Sequence, residues 1–176
     1  MRARAGVANV LEALGRCEEA MAHYRELLRL NPNDNQGVRF SLLSLYLQES
    51  RDKEARDLLK AYPDDKSMAT GSYAQALLSY RKEGDSATAR RHLKKALETN
   101  RHVPGYLLGE EEFPPIIPPS YSLGSIDEAV LCADNMLEAW EEPPEALEWL
   151  DEYRRSGSKR IRKKSIKKKR KTKKKS

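Results

Sequence analysis

The chain has 176 residues, enough for one domain with a real core. Its 33 Lys and Arg against 27 Asp and Glu give a net charge of +6, but 13 of the basic residues and no acid fall within 159–176. The other 20 basic and 27 acidic residues make an acidic body of −7 carrying a +13 appendage, so the overall charge describes neither part. No apolar run approaches the ~20 residues of a membrane-spanning helix. Met1-Arg2-Ala3-Arg4 opens onto alternating charged and apolar residues rather than a signal-peptide core. Cys17 and Cys132 stand far apart with no Cys/His cluster beside them, which argues against a disulfide framework or a zinc site. Composition therefore predicts a soluble, mostly helical, nuclear or cytoplasmic chain.

In chain order, one pattern recurs: an apolar pair, a turn residue, then an Ala early in a second apolar-periodic stretch. It reads Val7-Ala8…Leu11…Gly15…Ala20…Tyr24…Leu27…Pro32, then Leu42-Leu43…Tyr46…Ser50…Ala55…Leu59…Tyr62, then Ala76-Leu77…Tyr80…Gly84…Ala89…Leu93…Ala96. The aligned alanines lie 35 and 34 residues apart. Val7, Ala8 and Leu11 share a helical face, as do Ala20, Tyr24 and Leu27. Ala20, Ala55 and Ala89 are small where two helices of a hairpin meet closely. Gly15 and Gly84 suit turns with a left-handed backbone. Asn31-Pro32-Asn33-Asp34 is expected to stop one helix and cap the next, and Asp64-Asp65 to do the same before the third unit.

The period and pattern over Arg2 to about Asn100 resemble the tetratricopeptide repeat family. The runs Leu30 to Gly37, His102 to Gly109, Pro114-Pro115, Gly124 to Ala129 and Trp140 are similar to uncharacterised repeat proteins, and their second half resembles the C-terminal region of the suppressor of tumorigenicity 7 family. Unlike that family, this chain has no membrane segment, and the basic tail is outside the shared pattern. Met1 falls inside the first helix without an N-cap, so relatives are expected to carry helices upstream and this chain to be an abbreviated version.

His102 to Leu123 holds five prolines and cannot run as one helix, yet Val103, Tyr106, Leu107, Leu108, Ile116, Ile117 and Tyr121 are too apolar for a solvated coil. A short helix at Tyr106-Leu107-Leu108 and an extended proline stretch covering the last hairpin are expected. Ser125 and Glu128 form a capping box for a helix bearing Ile126, Ala129, Val130, Ala133, Leu137 and Trp140. After Pro143-Pro144, residues 145–153 read as a second short helix, and the two together as a capping pair.

The residues offer no catalytic constellation. His23, His92 and His102 lack partners in sequence, neither cysteine has an activating neighbour, and no phosphate-cradling Gly-rich loop, G-x-S-x-G or H-E-x-x-H occurs. Glu110-Glu111-Glu112 reads as a solvated acidic loop, because consecutive carboxylates converge poorly on one ion. No cofactor is implied and a non-enzymatic protein is expected.

The resemblance implies a concave groove lined by the first helix of each repeat. Aligned positions are Arg2, Ala5, Asn9 and Glu12; Phe40, Ser44, Leu47 and Gln48; and Ala74, Leu78, Arg81 and Lys82. Of these, Asn9, Glu12, Phe40, Ser44, Leu47, Leu78, Arg81 and Lys82 are the candidate peptide-binding residues, apolar at the centre and cationic at one rim. Repeats that clamp chaperone C-termini need Lys, Asn and Lys/Arg at set positions. Here only Asn9 matches, with Ala5, Ser41, Gly71 and Gln75 at the others.

The tail clusters, Lys159 to Lys164 and Lys167-Lys168-Lys169-Arg170-Lys171, cannot build a core and repel one another, which predicts disorder. A nuclear localisation signal is the leading reading. Nonspecific RNA or DNA contact is the alternative, without aromatics for base stacking. The combined expectation is an all-α chain: a tetratricopeptide-like helical-hairpin solenoid of about three units (1–100), a proline-rich covering segment (101–124), a capping helix pair (125–153) and a disordered polybasic tail (154–176). It would be an adaptor for a protein or peptide ligand; its rival is an RNA-associated protein bound through the tail.

Overall fold

The structure, a computed structural model, describes residues 2–156. Regular structure among the described residues is entirely helical: α1 (Arg2–Ala13), α2 (Cys17–Leu30), α3 (Val38–Gln48), α4 (Asp52–Ala61), a 3-10 turn (Pro63–Ser67), α5 (Ala69–Glu83), α6 (Ala87–Thr99), α7 (Val103–Leu107) and α8 (Ile126–Glu141), with residues 145–156 forming α9. Helices α1/α2, α3/α4 and α5/α6 pack as consecutive pairs, and α2 and α4 also pack on the helix that follows each of them.

The turns inside the pairs explain the recurring pattern. Gly15 has φ +70° and Ser50 φ +53°. At both sites the next amide reaches back along the helix: Arg16 N–H donates to Leu11 O at 2.8 Å and Arg51 N–H to Tyr46 O at 2.7 Å. The preceding amides bond Glu12 O and Leu47 O, so both helices end in the same Schellman motif, one with Gly and one with Ser in the left-handed position. The third turn differs: Gly84 has φ +60° but ψ −149°. There Ser86 caps α6 by accepting from Ala89 N at 3.1 Å.

The recurring alanines lie in the core. Ala20, Ala55 and Ala89 are each fully buried, as are Tyr24, Leu93 and Ala96 on the same second helices. Val7 departs from expectation. Ala8 and Leu11 are buried, but Val7 is 48% exposed because it lies on the outer side of the first helix, which no described element covers.

The two acidic junctions also part ways. Asp34 does cap α3: its carboxylate accepts from Val38 N and Arg39 N, both at 3.0 Å. Asp65, expected to cap α5, instead accepts the Arg39 guanidinium at 2.8 and 3.0 Å, and Arg39 also reaches Asp34. The backbone of this 3-10 turn presses on α5 so closely that a Cβ at Gly71 would overlap the Asp65 carbonyl oxygen. Gly71 is therefore a contact glycine, not a groove position.

The proline-rich stretch covers little. Phe113 and Ile117 pack partly on the core, while Ile116 is 80% and Leu123 65% exposed. The covering is done by α8, which lies against α3, α5 and α7 rather than closing the end of the row of pairs. Its Ala129, Cys132, Ala133, Met136 and Trp140 are fully buried. Trp140 meets Tyr73 edge-on at 6.3 Å and stacks with Trp149 of α9 at 6.4 Å.

Ala55→Leu inserts three carbons where no space exists and is expected to destabilise the fold by about 1–3 kcal/mol in denaturant unfolding.

Candidate protein-binding groove

The face that the first helices present carries α8, held at both ends by buried polar groups. A helix leaves its first N–H and last C=O groups unsatisfied, and burial makes that costly. At the N-terminal end of α8, Ser125 Oγ accepts from Glu128 N at 3.1 Å, half of the expected capping box. The Glu128 side chain does not return to Ser125. One carboxylate oxygen accepts from Ala69 N, the first amide of α5, at 2.9 Å; the other accepts from Gly124 N at 2.6 Å and Asn100 Nδ2 at 3.0 Å. Asn100, itself buried, donates to Ser125 O as well and accepts Tyr73 Oη–H at its own carbonyl, 2.8 Å away. Glu128 thus caps α5 from 59 residues away.

At the other end stands Arg81, its side chain 8% exposed. It donates to Ala139 O at 2.7 Å and to Glu142 O at 2.7 and 3.0 Å, the open carbonyls that end α8. It also donates to Leu47 O at 2.8 Å near the end of α3, and pairs with Asp52 at 3.1 Å. One planar guanidinium with five N–H groups satisfies two helix C-termini at once and places positive charge where both dipoles favour it. Midway, Ser44 Oγ donates to Asn135 O of α8.

These contacts decide what each candidate residue does. Ser44, Leu47 and Arg81 are committed to α8 or buried under it and are not an open surface. Leu78 is buried but faces α4, where Arg56 donates to its carbonyl at 3.3 Å. Asn9 is exposed and Glu12 half-buried, and both reach the buried Tyr24 hydroxyl, each oxygen 2.7 Å from it. Burial and the Glu12 carboxylate push the Tyr24 phenol well above its ordinary range. Phe40 is half-buried beneath the Arg39 guanidinium, 4.3 Å from the ring centre, and Lys82 is exposed and paired with Glu83 at 3.1 Å. Lys167, Lys168, Lys169, Arg170 and Lys171 lie outside the described residues.

Sequence reasoning did not find Glu128 or Asn100 as anchors. Glu128 has a sufficient local role as a box residue, and Asn100 ends a helix as many asparagines do. Arg81 offered a sharper signal: a cation on the apolar-rich α5 that also bears Ala74, Leu77 and Leu78. Cys132 is fully buried, and burial pushes its thiol up, away from reactivity. Glu110 of the acidic loop pairs with Arg154 of α9. Among the described residues no three of His, Cys, Asp and Glu gather as a metal site, and no helix is long and apolar enough to cross a membrane.

The tetratricopeptide repeat family model matches residues 1–41, which are α1, α2 and the start of α3. That match covers the first helix pair. Proteins of this family are generally non-enzymatic, and the repeat suggests an interaction module with protein partners. The chain matches no curated protein and no solved structure. The likeness of its second half to suppressor of tumorigenicity 7 has no support in these comparisons.

Arg81→Met keeps the apolar stem but strands the Ala139 and Glu142 carbonyls at the end of α8. A loss of about 2–3 kcal/mol is expected, with faster amide exchange concentrated in α8. Glu128→Gln swaps one acceptor oxygen for an amide facing other donors. It should cost about 1–3 kcal/mol and speed exchange at Ala69.

Proposed function

We propose that this protein is a non-enzymatic protein–protein interaction adaptor. In this reading its helix pairs form a tetratricopeptide-like solenoid that engages a segment of another protein, and the polybasic tail directs the chain to the nucleus. The observation that carries it is the seating of α8. Helices α3 and α5 hold an amphipathic helix through apolar side chains and through hydrogen bonds to its ends, which is helix-in-groove recognition supplied within one chain. The tetratricopeptide match over 1–41 supports the same reading.

Because α8 takes much of the α3/α5 part of the groove, a partner segment would use the part at α1 and the start of α3, where Asn9, Glu12 and Phe40 remain at or near the surface. Ser44, Leu47, Leu78 and Arg81 are withdrawn as contacts for a segment in this groove.

The rival is an RNA-associated protein whose 13 tail cations supply the affinity and whose body is a spacer. Pull-downs from nuclease-treated extract and a salt titration of binding to purified RNA, each with the full chain and a 1–158 truncation, separate the two. The adaptor reading expects the truncation to keep its protein partners and to lose salt-dependent RNA binding. Loss of every partner along with the tail would sink it. A fluorescent fusion of residues 159–176 that fails to enter the nucleus would remove the targeting role.

A further inference from the structure

A cleft of about 320 Å³ opens between α4, the 3-10 turn, α5 and α6, away from the α8 seat. Leu59 and Leu78 form its buried floor. Arg56 and Lys60 from α4, Lys66 from the turn and Lys82 from α5 line its walls, with Glu83 the single acid among the lining residues. Four cations against one acid stand out in a body whose net charge is −7. Low-dielectric walls carrying one sign of charge concentrate the opposite sign between them.

The cations are loosely engaged. Lys60 meets Asp57 at 2.8 Å and Lys82 meets Glu83 at 3.1 Å, both exposed pairs of the kind that contribute little and exchange readily for a ligand. Lys66 makes no ion pair among the described residues. Arg56 is already shared between Asp52 and Leu78 O, both at 3.3 Å.

Neutral donors complete the lining. The Ser79 hydroxyl donates to Gln75 O at 2.8 Å and lies 2.6 Å from His92 Nδ1. Thr88 adds a hydroxyl.

We propose that this cleft is a phosphate-binding site that receives a phosphorylated side chain of a partner protein. Three lysines approaching from α4, the turn and α5 suit a compact dianion with several acceptor oxygens. A carboxylate brings one charge and two acceptor oxygens, whereas a phosphoryl group brings nearly two charges and three oxygens, the better match for three lysines. A nucleic acid is disfavoured because no Phe, Tyr or Trp lines the cleft as a platform for successive bases. The proposal gives the adaptor reading a partner chemistry and depends on that reading for its biology, while the anion site stands or falls separately.

His92 supplies the readout. Burial lowers its pKa, Arg91, Lys66 and Lys95 lower it further, and Glu83 opposes them. Ser79 and Thr88 face it as neutral groups. A bound dianion would favour the charged ring, so saturating ligand should raise the His92 pKa by about one unit. Because the tail attracts any anion, the signal must be site-resolved.

The experiment follows the ring protons of His23, His92 and His102 in the full chain during titration with inorganic phosphate, N-acetylphosphoserine amide and acetate. Saturable movement confined to His92, with phosphoserine and phosphate at least tenfold tighter than acetate, is the expected result. The Lys66→Glu/Lys82→Glu variant should weaken it at least tenfold, and the milder Lys66→Gln should weaken it less, with circular dichroism unchanged in both. Parallel drift of all three histidines, unchanged binding in the variants, or acetate binding as well as phosphate would overturn the site. A single-stranded oligonucleotide that shifts His92 more tightly than phosphoserine, and loses that shift in the double variant, would overturn the protein partner. If the phosphate site holds while the 1–158 truncation captures no protein, the adaptor reading fails alone.

Discussion

Burying a helix inside a helical stack raises the question of where its ends go. Apolar side chains can cover the flank of α8, but they say little about its register along α3 and α5 and nothing about the unpaired groups at its termini. Here the answer is two charged side chains in nearly dry surroundings. Glu128 gives its carboxylate to the first amide of α5, and Arg81 gives its guanidinium to the last carbonyls of α3 and α8. Neither charge is left bare: each is surrounded by backbone groups that burial had stripped of water, and directional bonds of this kind define one register where apolar contact tolerates several. Most of what distinguishes this chain from a bare row of helix pairs depends on that arrangement.

The same arrangement sets the functional geometry. A groove that would otherwise be open to a foreign helix is partly filled from within, so the surfaces left to partners are of two different kinds. One is the α1 end, where polar Asn9 and Glu12 are turned partly inward to serve Tyr24. The other is the cationic cleft beyond α5, set against the acidity of the body. On the proposed adaptor reading, such a pair of surfaces would discriminate by charge as much as by shape.

Legibility in the sequence followed distance along the chain. The three alanines, the turns at Gly15, Ser50 and Gly84, and the Ser125 cap were readable because each depends on neighbours within a few residues. The short helix after His102 was readable only in part: expected at Tyr106-Leu107-Leu108, it spans Val103–Leu107, with Pro104 in its first turn. The groove was not. Its expected lining assumed that first helices face solvent, whereas Ser44, Leu47 and Arg81 meet a helix some 60 to 90 residues further on. Nor was Asp65, whose carboxylate went to Arg39 because that guanidinium offers a charge-assisted bidentate contact which a helix amide does not.

By itself the sequence determined which residues become helix, where those helices stop and which small side chains let them pair, because helical periodicity, turn chemistry and capping are settled within a few residues of each other. Tertiary structure alone decided that α8 lies in the groove, that one carboxylate caps a distant helix and that four cations gather around one cleft. Such encounters depend on which buried polar groups find partners once the chain has folded back on itself, and no local spacing records them.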